Sequence, residues 1–174
     1  MLKMNLNKLL LILILFFFSC NNSHNIPEKD KIENKIIFQT AKKLKEEKNL
    51  SFAGFGGSAV KGNEYLSIDF NYFELLDIEQ ARNLIVQIAQ LFLKNLNSNE
   101  YLQKNNESPY EIKNLDIRIF CYDSGYNDPS PPNLSLVALQ KNECSYYYHV
   151  SEKFEIIHEE SYEEALKLVT KETK

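Results

Sequence analysis

Apolar residues follow one another without interruption from Leu9 to Phe18, at the start of the chain. The ten residues of this run would rise about 15 Å as an α-helix, whereas the hydrocarbon core of a bilayer is about 30 Å thick. The run is therefore too short to span a membrane. Beyond residue 29 the pattern changes, and apolar residues recur with the periods of amphipathic helices and half-buried strands.

Three segments of this later region have apolar residues at helical spacing, and each begins with a pair of residues typical of a capping box. The first helix is predicted at residues 30–48. The second has an apolar stripe so broad that little of it can reach water, and we predict that a sheet packs against it. The third lies at the end of the chain. The three capping pairs are Asp30 with Glu33, Asp77 with Gln80, and Ser161 with Glu164.

Other apolar segments show the alternation or the flanking turn residues that are typical of strands. Two hairpins are predicted, one between the first and second strands and one between the fourth and fifth. Phe154–Ile157 is a candidate for a short additional strand. The five main strands are Ser51–Val60, Asn63–Glu74, Leu115–Tyr122, Leu134–Gln140 and Cys144–Val150.

The resulting order, α-β-β-α-β-β-β-α, predicts a protein of the α+β class. Because most strands are joined by short turns, we expect an antiparallel sheet of about five strands with helices packed on one face. Residues 30–174 have the usual length of one domain, and we predict a single domain there.

The residues before and after the apolar run indicate what kind of segment it belongs to. Lys3 and Lys8 precede it, and Ser19 and Cys20 follow it. A basic lead, a short apolar core and a small residue at the end are typical of a secretory signal peptide. The segment Phe17-Phe18-Ser19-Cys20 resembles the lipobox of bacterial lipoprotein signal peptides, with phenylalanine where the family usually has leucine three residues before the cysteine.

This resemblance implies that residues 1–19 are removed and that the thiol of Cys20 is acylated. Residues 20–29 then form a tether between the membrane and the domain. Asn21, rather than aspartate, after the cysteine implies the outer membrane in a cell that has two membranes. An ordinary cleaved signal and a buried apolar helix with a chance cysteine are the alternatives.

The net charge of the chain limits the classes of partner that we expect. The chain has 20 basic and 24 acidic residues, and loss of Lys3 and Lys8 with the signal changes the formal charge from −4 to −6. Such a balance disfavours nucleic acid and anionic lipid as partners. The first helix carries lysines and glutamates together on its polar face, which indicates a solvated surface. No spacing of histidines or cysteines suggests a metal site, and no motif indicates a cofactor.

Two cysteines remain after Cys20, and the predicted order of strands separates them. Cys121 ends one strand and Cys144 begins the second strand after it. If each pairs with the strand between, the two thiols lie at opposite ends of the sheet, roughly 20 Å apart, whereas a disulfide needs Cα atoms within about 7 Å. We therefore expect no bond between them, unless the strand order differs from this simple meander.

A glycine cluster, Phe55-Gly56-Gly57-Ser58, is the next candidate for a site. Its spacing matches neither a phosphate-binding loop nor a nucleophile elbow. We expect a bulge or a close approach of backbones in an edge strand.

Polar residues at alternating strand positions suggest a second candidate site. They would resemble an acid–base constellation if they converged, although charges on an exposed sheet face often serve solubility alone. The residues are Asp69, Asp116, Arg118 and His149.

Aromatic residues are interleaved with these charges, and rigid rings on a surface suit partner binding. The alternative is that a helix or a long loop covers them. The residues are Tyr65, Phe73, Phe120, Tyr122 and Tyr147.

Three hypotheses for the function follow. The first is a lipid-anchored extracytoplasmic domain that binds another envelope protein or a small apolar ligand through its open sheet face. The second is an envelope hydrolase with an unrecognised active site. The third is a structural lipoprotein that associates with itself.

The anchor has a direct test. Replacement Cys20→Ala removes the only thiol that the signal offers for acylation, so the variant should carry no diacylglycerol and should stay uncleaved or leave the membrane fraction. Intact-mass spectrometry and fractionation of the cells measure both effects. A variant that stays acylated and bound to the membrane would contradict the assignment of Cys20.

Overall fold

The computed structural model describes residues 26–172, apart from residues 59, 61–63 and 107. The predicted signal at residues 1–19, Cys20 and most of the predicted tether lie outside the described residues, as does most of the turn predicted between the first two strands. The elements are α1 (Glu28–Lys48), β1 (Ser51–Ser58), β2 (Tyr65–Tyr72), α2 (Ile78–Asn97), α3 (Glu100–Asn105), a 3₁₀ turn (Ile112–Asn114), β3 (Leu115–Cys121), β4 (Leu136–Gln140), β5 (Glu143–Val150), β6 (Lys153–Ser161) and α4 (Tyr162–Glu172).

Helix α2 lies at the centre of the core, as its broad stripe predicts. Ile85, Val86, Ile88, Ala89 and Phe92 are fully buried in it. The helix contacts α1, α4, β3 and β4. Its predicted capping box is confirmed, because the Asp77 carboxylate accepts from the backbone N–H of Gln80 and the Gln80 side chain accepts from that of Asp77. One hydrophobic core therefore joins all the long helices to one face of the sheet.

The sheet has six strands in the order β1-β2-β3-β4-β5-β6. The prediction of an antiparallel sheet is wrong at one place, because β2 and β3 are parallel while the other four pairs are antiparallel. The reason is the connection: α2 carries the chain from the end of β2 back to the start of β3, and a strand–helix–strand crossover produces a parallel pair. The fold is α+β with a mixed sheet, and its helices pack on one face.

Strand β6 is longer than the sequence pattern indicates. It extends over nine residues, Lys153–Ser161, instead of the four predicted. A bulge interrupts its register with β5, where Tyr146 lies opposite His158 and Tyr147 lies opposite Ile156. Because a bulge shifts the alternation by one residue, the apolar and polar positions of β6 do not follow a single period.

Helix α1 begins two residues earlier than predicted and without the predicted cap. Its N-cap is Pro27, and no side chain caps it. Glu33, predicted to complete a capping box with Asp30, instead accepts a hydrogen bond from the Tyr110 hydroxyl. A tertiary contact thus replaces the local one. The predicted cap of α4 is confirmed, since Ser161 and Glu164 bond reciprocally.

The glycine cluster lies in the edge strand β1, as expected. The register of β1 with β2 shifts between Phe52 and Gly54, which is a bulge. A Cβ atom at Gly57 would collide with the backbone carbonyl oxygen of Tyr65. Glycine at this position therefore permits the close approach of the two strands.

The two described cysteines are buried and free, which confirms the prediction for this pair. Cys144 lies opposite Leu139, and Leu139 lies opposite Ile117, four residues before Cys121 in β3. Two strand spacings and four residues of strand separate the thiols by roughly 16 Å.

Candidate functional site

The helices of the described chain all lie on one face of the sheet, so the other face, which we call the open face, is free of helices. Alternate residues of each strand point to it. In β3 these are Asp116, Arg118 and Phe120, which are partly exposed, whereas Leu115, Ile117 and Ile119 between them are buried under the helices.

An apolar row crosses the open face. Phe120 lies opposite Leu136, Leu136 opposite Tyr147, and Tyr147 opposite Ile156. The four side chains thus occupy one level of four adjacent strands, about 14 Å across. Leu136 is buried between its neighbours, whereas Ile156 at the sheet edge is 53% exposed. We call Phe120, Leu136, Tyr147 and Ile156 the apolar row.

Aromatic rings extend the row beyond the strand ends. Phe73 follows β2 and stacks on Tyr122, with ring centroids 5.7 Å apart. Tyr126, in the loop after β3, lies 4.9 Å from Phe73 and is largely exposed. On β6, Phe154 meets the ring of Tyr147 edge-on. The rings are held against one another and present a fixed apolar surface.

Four of the five aromatic residues predicted for the open face therefore lie near one another: Phe73, Phe120, Tyr122 and Tyr147. The fifth, Tyr65, begins β2 at the opposite end of the sheet. Asn71 is the β2 residue level with Phe120, and six residues of strand place Tyr65 roughly 20 Å away. The structure thus separates Tyr65 from the others.

The polar candidates share the open face but form three separate contacts. Arg118 and Asp69 lie opposite each other and make a bidentate pair, with N–O distances of 2.8 and 2.9 Å. The side-chain amide of Gln140 donates to both oxygens of Asp116, at 3.0 and 3.1 Å. Each carboxylate therefore already has a partner.

His149 lies far from this group. Its Nδ1 is 2.7 Å from a carboxylate oxygen of Asp128, in the loop after β3. Register places Ser145 two strands from Arg118 on the same level, and His149 follows four residues later, so roughly 16 Å separate His149 from Arg118. The four polar residues do not converge on one reacting position. The arrangement is that of a binding surface with paired charges.

Acidic groups lie on one side of the apolar row, Glu159 one level away and Asp116 two levels away, beyond Arg118. Glu159 lies opposite Ser145 on β5 and accepts a hydrogen bond from its hydroxyl, at 3.2 Å. Among the residues that the structure describes, neither Glu159 nor Asp116 has an ion-pair partner. The open face thus combines an apolar stretch with unneutralised carboxylates.

A buried polar network, which the sequence did not suggest, lies on the other face. One oxygen of Glu160 on β6 accepts from Nε of Arg82, at 2.7 Å, and from the hydroxyl of Tyr146, at 2.6 Å. The side chains of Arg82 and Glu160 are only 13% and 6% exposed. Their 78 residues of separation leave no local pattern that could have indicated the pair. The network joins α2 to the edge strand β6.

A second buried carboxyl, that of Glu33, belongs to α1. Glu33 lines a surface cavity of about 270 Å³ together with Phe55, Gly57 and Tyr65. Burial raises the pKa of Glu33 above its ordinary value, and this effect outweighs the opposing hydrogen bond from Tyr110.

The buried thiols are unreactive by the same physics. Burial raises the pKa of Cys121 to about 12 and that of Cys144 to about 12. Both are therefore protonated at neutral pH, whereas a nucleophilic cysteine acts as the thiolate.

We predict that Glu160→Ala destabilises the protein by about 3 kcal/mol, because it leaves the buried Arg82 guanidinium without its carboxylate. Urea unfolding measures the change. Glu155→Ala is the matched control, since Glu155 is exposed on the same strand, and it should change the free energy of unfolding by less than about 0.5 kcal/mol. Equal effects of the two substitutions would contradict the assigned role of the network.

Glu33 predicts a dependence of stability on pH. Because its pKa is raised in the folded state, protonation favours folding, and this contribution is lost as pH rises through the raised pKa. Glu33→Gln keeps an acceptor for Tyr110 but carries no charge, so it should raise the free energy of unfolding at pH 7.

The difference between Glu33→Gln and the unsubstituted protein should shrink as pH falls towards 4.5, the ordinary pKa of the group. Urea midpoints of both proteins measured across this range test the prediction. Midpoints that differ by a constant amount at every pH would rule out titration of Glu33 as the cause.

Searches against protein-family models, curated proteins and solved structures found no match for this chain. Within the described residues, no helix combines the length and the apolar character needed to cross a bilayer. The same residues include no group of three or more histidine, cysteine, aspartate or glutamate side chains that could hold a metal ion. The geometry of the open face therefore carries the argument about function.

Proposed function

We propose that the protein is a lipid-anchored binding module of the bacterial cell envelope, which holds a partner protein against the open face of its sheet. Acylated Cys20 anchors it to a membrane on the extracytoplasmic side of the cell. In a cell with two membranes, this is the outer membrane. The observation that carries the proposal is the apolar row, which crosses four strands and has no helix over it in the described chain.

The row has the properties of a protein-binding surface. Tyr147 is held by its contact with the ring of Phe154, and Phe73 and Tyr122 beside the row stack on each other, so little conformational entropy is lost when a partner immobilises these rings. Ile156 and Phe154 extend it to the sheet edge, where they are 53% and 45% exposed. Such clustered exposure of large apolar side chains is typical of interaction sites.

Charge indicates the chemistry of the partner. Glu159 lies one level from the row and has no ion-pair partner among the described residues, so a segment with apolar side chains beside lysine or arginine would complement it. A second copy of the same face would place carboxylates against carboxylates, which argues against self-association there. A small apolar ligand would find little enclosure on an open sheet, and the cavity of about 270 Å³ is lined by other residues.

The hydrolase hypothesis has no support in the geometry of the predicted polar residues. Asp69 is paired with Arg118. His149, which is paired with Asp128, lies roughly 16 Å from Arg118. General acid–base catalysis needs its groups within hydrogen-bond reach of one substrate.

A photo-cross-linking amino acid at position 147 tests the proposal in intact cells. After detergent extraction of the membranes, mass spectrometry should identify one envelope protein, cross-linked through a segment rich in apolar and basic residues. The same probe at position 168, an exposed site on α4, should give at least tenfold less of this adduct. No adduct at position 147, with the protein present in the extract, would overturn the proposal.

Two substitutions make the test specific to the surface. Ile156→Ser and Glu159→Lys should each lower the affinity for the identified partner by about tenfold, since the loss of one contact that binding buries can cost about 1.4 kcal/mol. Leu168→Ser and Glu163→Lys, exposed on α4, are the matched controls and should leave the affinity unchanged. Binding by all four variants equal to that of the unsubstituted protein would exclude the open face as the binding surface.

A further inference from the structure

A second exposed aromatic patch lies at the β1 edge of the molecule, under α1. The ring of Phe38 on α1 meets the rings of Phe52 and Phe55 on β1 edge-on, with centroids 5.4 and 5.3 Å apart. Phe38 is nevertheless 50% exposed and Phe55 is 42% exposed. Phe52 in turn contacts Phe70 in the core. The patch is thus packed against the core on one side and exposed to solvent on the other.

Lysines surround Phe38 on the same side of α1. At about 100° per residue, the positions three, four and seven residues away lie within about 60° of Phe38 around the helix axis. Four of these positions are lysines, and the acidic Glu28, Asp30 and Glu46 lie further round, at about 80° on either side. The lysines are Lys31, Lys35, Lys42 and Lys45.

Most of these lysines are not neutralised within the chain. Lys31 pairs with Glu28 at 3.2 Å, but Lys35, Lys42 and Lys45 are exposed and have no ion-pair partner among the described residues. Although lysines and glutamates are mixed along the sequence of α1, these lysines lie together on one side of the helix. We call Phe38, Phe55, Lys35, Lys42 and Lys45 the α1 patch.

The α1 patch lies beside the point where the described chain begins. Ile26 and Phe55 line the same cavity, of about 270 Å³. Six residues separate Cys20 from Ile26, and a chain of that length spans at most roughly 22 Å. If Cys20 is acylated, the end of the α1 patch at Phe55, beside Ile26, therefore lies close to the lipid surface.

We propose that the α1 patch is a membrane-contacting surface, which rests on an anionic phospholipid bilayer when the anchor is inserted. The proposal rests on the acylation of Cys20 proposed above. Aromatic side chains favour the interfacial region of a bilayer, and lysines extend to anionic headgroups while their alkyl chains cover apolar surface. The patch supplies both groups on one side of the molecule, although the whole chain is acidic.

This contact would orient the domain. The α1 patch is at the β1 edge of the sheet, and β6 forms the opposite edge, five strands away from β1. Five strand spacings amount to about 24 Å. The exposed end of the apolar row, at Ile156, would thus be held away from the bilayer and remain available to a partner protein.

Tryptophan fluorescence offers a sensitive test, because the chain contains no tryptophan. Phe38→Trp introduces a single reporter into the patch, and Phe154→Trp introduces one at a similarly exposed site on β6. Each full-length, acylated variant is reconstituted into phosphatidylcholine–phosphatidylglycerol vesicles with and without brominated acyl chains. We expect brominated lipid to quench the reporter at position 38 at least twofold and to leave that at position 154 unchanged.

Charge substitutions separate the patch from the anchor. Lys35→Gln, Lys42→Gln and Lys45→Gln combined should abolish most of the quenching at position 38, since each lysine near an anionic surface contributes about fivefold to binding. The same change at Lys141, Lys153 and Lys167, which are exposed near β6 and α4, alters the net charge equally and should have no effect. Pure phosphatidylcholine vesicles should reproduce the result of the first triple variant.

The outcomes distinguish the two proposals. Protein that does not float with the vesicles lacks the anchor, and this result would overturn the acylation of Cys20 and the membrane contact with it. Protein that floats but shows equal quenching at positions 38 and 154 retains the anchor and overturns the α1 patch alone. Quenching at position 38 that the patch lysines do not affect would also overturn the proposed contact with anionic lipid.

Discussion

A six-stranded sheet has two faces to shield from water, and the described chain supplies helices to only one of them. The central constraint is α2, whose stripe of Ile85, Ile88 and Phe92 is buried against β3 and β4. Because this helix also connects β2 to β3, it fixes the parallel pair within the sheet and directs the apolar side chains of both strands to the same side. The remaining strands extend from that pair in antiparallel pairs. The opposite face is consequently composed of alternate residues that no helix covers.

That asymmetry explains why the open face is neither fully apolar nor fully polar. The bidentate contact between Arg118 and Asp69 covers backbone in the middle of the sheet, and a pair at partly exposed positions contributes little net stability. The apolar row, one level along the strands, gains only lateral contacts from its neighbours. A face that is organised but not buried suits reversible association, because its side chains are already ordered before a partner arrives.

The sequence was most informative where one period persists over many residues. The stripe of α2 and the alternation in β3 gave their buried residues directly, and the capping box of Asp77 and Gln80 marked the start of α2. Contacts between residues that are far apart in the sequence could not be predicted from it. The pairing of Arg82 with Glu160 crosses 78 residues, and the bulge in β6 breaks the period on which the prediction of that strand depended. Alternation also tells which face a residue occupies but not its level, so Tyr65 and His149 were grouped with residues that lie roughly 16 to 20 Å from them.

The net charge of the chain does not show where the charged residues lie on its surface. A formal charge of −4 argues against attraction to an anionic surface only if the charges are spread evenly, since screening limits each exposed charge to about 10 Å. On α1 the nearest acidic residues lie at the border of the lysine group, about 80° from Phe38 around the axis, so Lys35, Lys42 and Lys45 form a local basic group around Phe38. On the open face, Glu159 lies on β6, at the opposite edge of the sheet. In the proposed orientation, repulsion of Glu159 by anionic lipid and attraction of the lysines would act in the same sense, and both would turn the apolar row away from the membrane.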